Sequence, residues 1–265
     1  MNLIQAIILG IIQGLTEFLP ISSSGHLSLF QNLFGLKQGS ITFEVAVHLA
    51  TLIAVVIVLR EDVIMMIKKP FSKLTLLVVA GTLPTVIIAL VFKDLLVLLF
   101  DTGATLGIEF IITGLVLLYV EEKHKEKKNG KKLENMNYLD AGVIGTAQGI
   151  AIMPAISRSG LTLAGALFRG LDREFAIKFS FLMSIPAILG SVVLEGWDIL
   201  KDGKIAVETV PLLAGMLAAG ISGYFAIKVM LKIFTKASLK YFSYYVFVVG
   251  GLVIIDQYFT RIFFK

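Results

Sequence analysis

The chain of 265 residues contains no cysteine. That excludes disulfides, thiolate metal sites and a cysteine nucleophile. Charge is scarce as well: 16% of residues are Asp, Glu, Lys or Arg, against about a quarter in soluble domains. Hydrophobic residues make up 57% and the mean hydropathy is +0.88, which is too apolar for a chain dissolved in water. The opening stretch MNLIQAIILGIIQGLTEFLP lacks the basic n-region and small-residue cleavage site of a signal peptide, so it reads as part of the fold. The net charge of +5 raises the question of nucleic acid, but the basic residues lie between apolar runs, where topology signals belong. The expected partner is therefore the bilayer and not nucleic acid.

What is present in abundance is apolar sequence in long runs. Six segments are predicted to span a membrane: roughly 43–60, 74–92, 106–120, 177–195, 210–227 and 242–258. Two more, about 3–35 and 141–170, are apolar but interrupted by Pro, Ser and Gly. Such breaks are tolerated at membrane depth only where protein or a water-filled cavity surrounds the backbone. Each is predicted to be a re-entrant helix–loop–helix.

The broken stretches resemble each other. A shift of 135 residues pairs Ala6 with Ala141, Gly10 with Gly145, Gln13 with Gln148 and Gly14 with Gly149. The same shift pairs Ile21 with Ile156, Ser22 with Ser157, Ser24 with Ser159 and Gly25 with Gly160. Shared greasiness does not supply Gln-Gly followed at fixed distance by Ser-x-Ser-Gly. The expectation is one all-α polytopic membrane domain over 1–265, with a first repeat (1–120), a cytoplasmic linker (121–140) and a second repeat (141–265). Three full spans per half force the halves into opposite orientations, with functional residues at their interface near the midplane. The positive-inside rule agrees: seventeen Lys and Arg fall on the side of loops 60–73, 121–140, 168–178 and 228–240, and six on the other. His124, in the charged linker, then needs no special role.

The first break holds Gln13, Glu17, Pro20, Ser22, Ser23, Ser24, Gly25 and His26. Gln13 and Glu17 are four apart and share a helix face. Pro20 ends that helix and the serines form a turn. An acid at membrane depth costs about 2.5–3.5 kcal/mol on insertion scales and usually marks function. His48, isolated in an apolar span, reads as a packing residue. The second break holds Pro154, Ala155, Ser157, Arg158, Ser159, Gly160 and Thr162. Arg158 is the only arginine deep in an apolar stretch, and its planar fork suits phosphate or carboxylate. Both loops place hydroxyls and a glycine just before a helix, whose N-terminus offers free N–H groups and partial positive charge. Together they form a site for a strongly anionic group. Glu17 beside a phosphate calls for protonation or a bridging divalent cation such as Mg²⁺.

The segment Gln13–His26 and the run PAISRSGLT (154–162) resemble the two signature motifs of the undecaprenyl-pyrophosphate phosphatase family, called BacA or UppP. The first motif is Glu or Gln, three residues, then Glu, here Gln13 and Glu17. The second is Pro-Gly-x-Ser-Arg-Ser-x-x-Thr, matched by Ser157, Arg158, Ser159 and Thr162, with Ala155 in place of the glycine. The resemblance implies hydrolysis of undecaprenyl pyrophosphate to undecaprenyl phosphate and inorganic phosphate, recycling the carrier lipid for peptidoglycan. It also implies dependence on a divalent cation (magnesium or calcium), an active site on the outer face of a bacterial cell membrane, and bacitracin resistance on overproduction.

Family roles carried onto these positions give four catalytic residues, Glu17, Ser23, His26 and Arg158. Gln13, Ser22, Ser24, Gly25, Ser157, Ser159, Gly160 and Thr162 are then expected to bind substrate, and Glu17 and Gln13 the metal. Ser23 is the expected nucleophile with His26 as its base or as the acid for the leaving group. Direct attack by water activated by His26 or Glu17, and a His26 nucleophile, stay open. So does a different class, a transporter or lipid flippase, since inverted repeats with a midplane anion site also build carriers. The counterparts of Glu17 and His26 in the second half are Ile152 and Leu161, so one composite site is expected instead of two.

Overall fold

A computed structural model describes residues 1–36, 41–124, 130–202, 208–233 and 237–262. Twelve helices carry these residues: α1 Leu3–Phe18, α2 Ser23–Leu33, α3 Ile41–Val58, α4 Arg60–Lys68, α5 Lys73–Val91, α6 Lys93–Thr102, α7 Leu106–His124, α8 Tyr138–Ile150, α9 Arg158–Phe168, α10 Arg173–Asp202, α11 Thr209–Ile233 and α12 Lys240–Ile255. The only pairing outside helices among the described residues is a single bridge between Lys131 and Leu171. Five helices are long and apolar enough to cross a membrane: Ile41–Val58, Lys73–Val91, Arg173–Trp197, Thr209–Ile233 and Lys240–Thr260. The sixth expected span lies within α7, whose C-terminal turns carry Glu121, Glu122 and Lys123. Segments 60–73 and 93–105, read as loops, contain α4 and α6, and part of the charged linker (125–129) lies outside the described residues.

Large apolar side chains crowd the outer surface, among them Ile53, Ile57, Leu83, Ile87, Leu115, Leu217, Phe225 and Leu252, each at least half exposed. A water-facing surface of that kind would aggregate, whereas a lipid-facing one is at home. Lipid tails are as apolar as leucine, so helices here associate through close packing of small residues. α1 crosses α11 where Gly10 meets the backbone of Gly215, and α8 crosses α5 where Gly145 meets the backbone of Gly81. A Cβ at Gly10 or Gly145 would overlap the facing carbonyl, so only glycine permits either crossing. α7 packs along α12, and α3 lies against both α10 and α11.

Both broken stretches are helix–loop–helix pairs, α1–α2 and α8–α9, and each pair packs on itself. They also begin alike. Asn2 caps α1 in a reciprocal box with Gln5, and Asn137 caps α8 in a reciprocal box with Asp140. With 16 and 13 residues, α1 and α8 reach about 24 and 20 Å at 1.5 Å per residue, short of a bilayer core of roughly 30 Å. Their loops are packed in the protein interior, with Ile21, Ser22, Ala155, Ile156 and Ser157 buried, and the site forms there.

Candidate active site

α1 stops at Phe18 and Pro20 follows, unable to donate a helical hydrogen bond. The chain turns through Ser22, which adopts φ 70°, a left-handed conformation uncommon for a residue with a side chain. Ser22 then caps α2 by accepting from Gly25 N at 3.3 Å. In the second loop Ser157 caps α9 by accepting from Gly160 N at 3.0 Å. The loops grip each other reciprocally: Ser24 Oγ donates to Pro154 O, and Ser159 Oγ donates to Leu19 O at 2.8 Å. From α7, Glu109 accepts from Ala155 N at 2.5 Å and Thr113 accepts from Ser157 N at 3.1 Å, fixing the second loop from outside. Two helix N-termini are thereby locked around one cavity.

Glu17 is the hub. Its Oε1 pairs with Arg158 Nη2, and its Oε2 accepts from Ser23 Oγ at 2.5 Å and from Gln13 Nε2 at 3.0 Å. His48 Nε2 stands 3.6 Å from the same oxygen. His48 Nδ1 bonds Glu44 O at 2.8 Å and so carries the proton in neutral imidazole. Arg158 is the first residue of α9, where the helix dipole disfavours a cation. Its place there makes sense only beside anions. One is Glu17; the other is invited by Arg158 Nη1, buried and without a partner among the described residues. The cavity has a volume of about 310 Å³ and runs from Glu17, Ser23 and Arg158 between α5 and α10 toward Leu90 and Leu194.

Of the residues expected at the site, Glu17, Ser22, Ser23, Ser24, Ser157, Arg158 and Ser159 line the cavity. Gln13 is fully buried behind Glu17. Three sets of expected site residues make other contacts in this structure. The pairing of Ser23 with His26 does not form: His26 Nδ1 turns back to Ser22 O at 2.6 Å and Nε2 meets Tyr245 Oη at 2.8 Å, while Ser23 bonds Glu17. His26 also stacks on Tyr245 and meets Phe110 edge-on, so it braces the turn. The amides of Gly25 and Gly160 are taken by their own caps, and the hydroxyls of Ser24 and Ser159 by the facing loop. Thr162 bonds Ser180 at 2.5 Å, away from the cavity, and is a brace for α9. Sequence reasoning passed over His48, Glu44, Thr85 and Gln148, all of which line the cavity. Only for Gln148 was there a signal, its match to Gln13.

Among the described residues, no three His, Cys, Asp or Glu side chains group to hold a metal unaided. A divalent cation fits here only with further oxygens from a ligand, which is how Mg²⁺ is commonly bound beside phosphates. Hard donors on or beside the cavity include the carboxylates of Glu17 and Glu44 and the amide oxygens of Gln148 and, behind Glu17, Gln13, both without a partner among the described residues.

A polytopic helical membrane protein with a cavity of arginine, hydroxyls and paired helix N-termini is, as a class, a membrane protein built to hold an anion. Its family is settled by comparison: residues 6–252 match the family described as "Bacitracin resistance protein BacA", and the chain belongs to that family. A protein named "Undecaprenyl-diphosphatase" from Carboxydothermus hydrogenoformans is 52% identical over 97% of this chain and 98% of its own length. "Undecaprenyl-diphosphatase 4" of Bacillus thuringiensis is 46% identical over 99% of this chain and 100% of its own, and an "Undecaprenyl-diphosphatase" of Halothermothrix orenii is 44% identical over 96% and 98%.

Proposed function

We infer that this protein hydrolyses undecaprenyl diphosphate to undecaprenyl phosphate and inorganic phosphate, returning the carrier lipid to cell-wall synthesis and contributing to bacitracin resistance. The observation that carries the chemistry is a nucleophile, a base and an anion clamp on one cavity: Ser23, hydrogen-bonded to Glu17, beside Arg158, whose Nη1 has no partner among the described residues. Ser23 Oγ attacks the terminal phosphorus as its proton passes to Glu17 Oε2. Polyprenyl phosphate leaves with the electrons of the P–O bond. Arg158 and the amides opening α2 and α9 neutralise charge growing on the phosphoryl oxygens. Water then cleaves the phosphoserine, returning the proton to Ser23. Glu17 and Gln13 are the proposed holders of a divalent cation, which would supply neutralisation of the diphosphate charge when bound.

For the membrane arrangement we propose an inverted repeat of six spanning helices, α7 included, with α1–α2 and α8–α9 re-entrant. Support comes from the matched elements: the same capping box opens α1 and α8, equivalent glycines seat α1 on α11 and α8 on α5, and equivalent serines exchange bonds between the loops. An outward-facing site is supported by charge. The ion pairs away from the site, Lys131 and Arg169 with Asp140, Arg173 with Glu121, Lys178 with Asp62 and Lys240 with Glu122, all lie on the basic side. The cavity extends the opposite way, toward the ends of α5 and α10.

The test is phosphate release by the detergent-purified protein from a polyprenyl diphosphate, with and without chelator. Release that is lost with chelator and in Arg158→Ala, Arg158→Lys and Glu17→Ala is expected. Folded protein that releases nothing with any cation, while taking up labelled anion into vesicles, would favour a carrier.

A further inference from the structure

Gln148 lines the cavity but has no part in the chemistry above. It is 1% exposed, and its Oε1 has no hydrogen-bond partner among the described residues. A buried acceptor left unpaired costs about 1–3 kcal/mol, so the position calls for a donor from a ligand. Which end of the amide is left without a partner follows from counting protons. Thr85 Oγ1 donates its one proton to Gly145 O at 2.9 Å, with Gly81 O a second carbonyl at 3.5 Å. Toward Gln148 that hydroxyl can only accept. Gln148 therefore turns its NH₂ to Thr85, at 3.2 Å, and leaves its carbonyl oxygen unpaired among the described residues.

The donors the cavity offers an anion are Arg158 Nη1 and the first amides of α2 and α9, since the hydroxyls of Ser23, Ser24 and Ser159 are already given to Glu17 and the facing loops. Donors alone hold any tetrahedral oxyanion. Glu17, Glu44 and Glu195 are acceptors in the same wall, with Glu17 already engaged by Arg158, Ser23 and Gln13 and Glu44 by Gln31 at 3.1 Å; His48 Nε2, the acceptor of the neutral ring, stands 3.6 Å from Glu17. The carboxylates also repel an anion when ionised. Gln148 Oε1 is a neutral acceptor held in place, suited to an anion that still bears a proton. At neutral pH inorganic phosphate keeps at least one P–OH, whereas sulfate keeps none.

We propose that Gln148 is a phosphate-recognition residue: its Oε1 accepts from the P–OH of a protonated phosphate in the cavity, and Thr85 fixes the amide in that orientation. The ligand class is a hydrogen-phosphate group, whether the terminal phosphoryl of the substrate or the released inorganic phosphate. This rests on the reading of the cavity as a phosphate site.

The experiment measures binding of inorganic phosphate and of sulfate at pH 7 to the full-length detergent-purified protein by titration calorimetry, with hydrolysis assayed on the same preparations. Wild type is expected to bind phosphate about tenfold more tightly than sulfate, the scale of one buried hydrogen bond. Gln148→Leu should bring that ratio toward one by weakening phosphate alone, and Thr85→Val should lower it partway. Thr85→Val also keeps the question answerable if Gln148→Leu does not fold. A ratio near one in wild type, or one unchanged in folded Gln148→Leu, overturns the proposal. A fall in kcat with the ratio unchanged would mean that Gln148 holds the attacking water, and overturns it too. Discrimination without hydrolysis would leave this inference standing while removing the phosphatase reading, and hydrolysis without discrimination would do the reverse. Titration with a polyprenyl monophosphate beside inorganic phosphate separates the lipid from the free ion as the bound source.

Discussion

Two residues compete for the role of base to Ser23, and geometry separates them. Glu17 Oε2 lies 2.5 Å from the Ser23 hydroxyl, whereas both nitrogens of His26 are occupied by Ser22 O and Tyr245 Oη. Glu17→Gln keeps the shape and removes the base, so kcat should fall by roughly 10²–10⁴, the usual range for losing general-base catalysis. Tyr245→Phe removes only the outer partner of His26, a hydrogen bond of about 1 kcal/mol, and should change kcat less than tenfold. Comparable losses in steady-state phosphate release would return His26 to the role of base. The motif residues were legible in the sequence because their types are costly at membrane depth: an acid, an arginine and clustered hydroxyls. His48, Glu44 and Tyr245 were not legible as site residues. Each is a single polar group in an apolar run, and its meaning comes from a neighbour distant in sequence, as with Tyr245 and His26, 219 residues apart.

The helical elements obey the same distinction. Long uniform runs such as α3, α5 and α11 announce themselves by composition, and their expected limits fall within a few residues of those observed at most ends. α4 and α6 did not, because charged residues interrupt them and both were absorbed into loops. Which helices touch was beyond composition, since in lipid the choice lies with small residues and not with greasiness. The 135-residue match nevertheless marked Gly10 and Gly145, and these sit at the two equivalent crossings. Gly10→Val or Gly145→Val should separate α1 from α11 or α8 from α5, and lower stability by about 1–3 kcal/mol or more, the range for overpacking. Gly142 lies on α8 too, with open space where a Cβ would go. Gly142→Ala should be neutral or stabilising by up to about 1 kcal/mol, since alanine is the better helix former. Thermal unfolding in detergent compares the three; equal losses would show that the crossings do not depend on glycine.

At the scale of the whole molecule, charge divides the protein into two faces. On the basic face Asp140 joins three segments, accepting from Asn137 N, from Lys131 at 3.0 Å and from Arg169 at 2.7 Å. Burial pushes its carboxyl up, but these donors outweigh burial and hold it below the usual carboxylate range. A depressed carboxyl gives stability that is complete above its unfolded pKa of about 3.9 and is lost as pH falls through the lower folded value. Acid unfolding of wild type should therefore carry a component below about pH 4 that Asp140→Asn lacks. Lys and Arg concentrate on this same face, which the proposed arrangement, following the positive-inside rule, turns to the cytoplasm. The absence of cysteine makes the orientation directly measurable, because any introduced thiol is the only one in the chain. Asn135 is exposed on the basic face, and Ala104 is exposed in the turn between α6 and α7, on the side toward which the cavity extends. In intact cells a membrane-impermeant maleimide should label Ala104→Cys and spare Asn135→Cys until the membrane is permeabilised. The opposite pattern would turn the cavity toward the cytoplasm. A diphosphate lipid on the outer leaflet would then have to cross the membrane before reaching Ser23, and the protein could act only after that step.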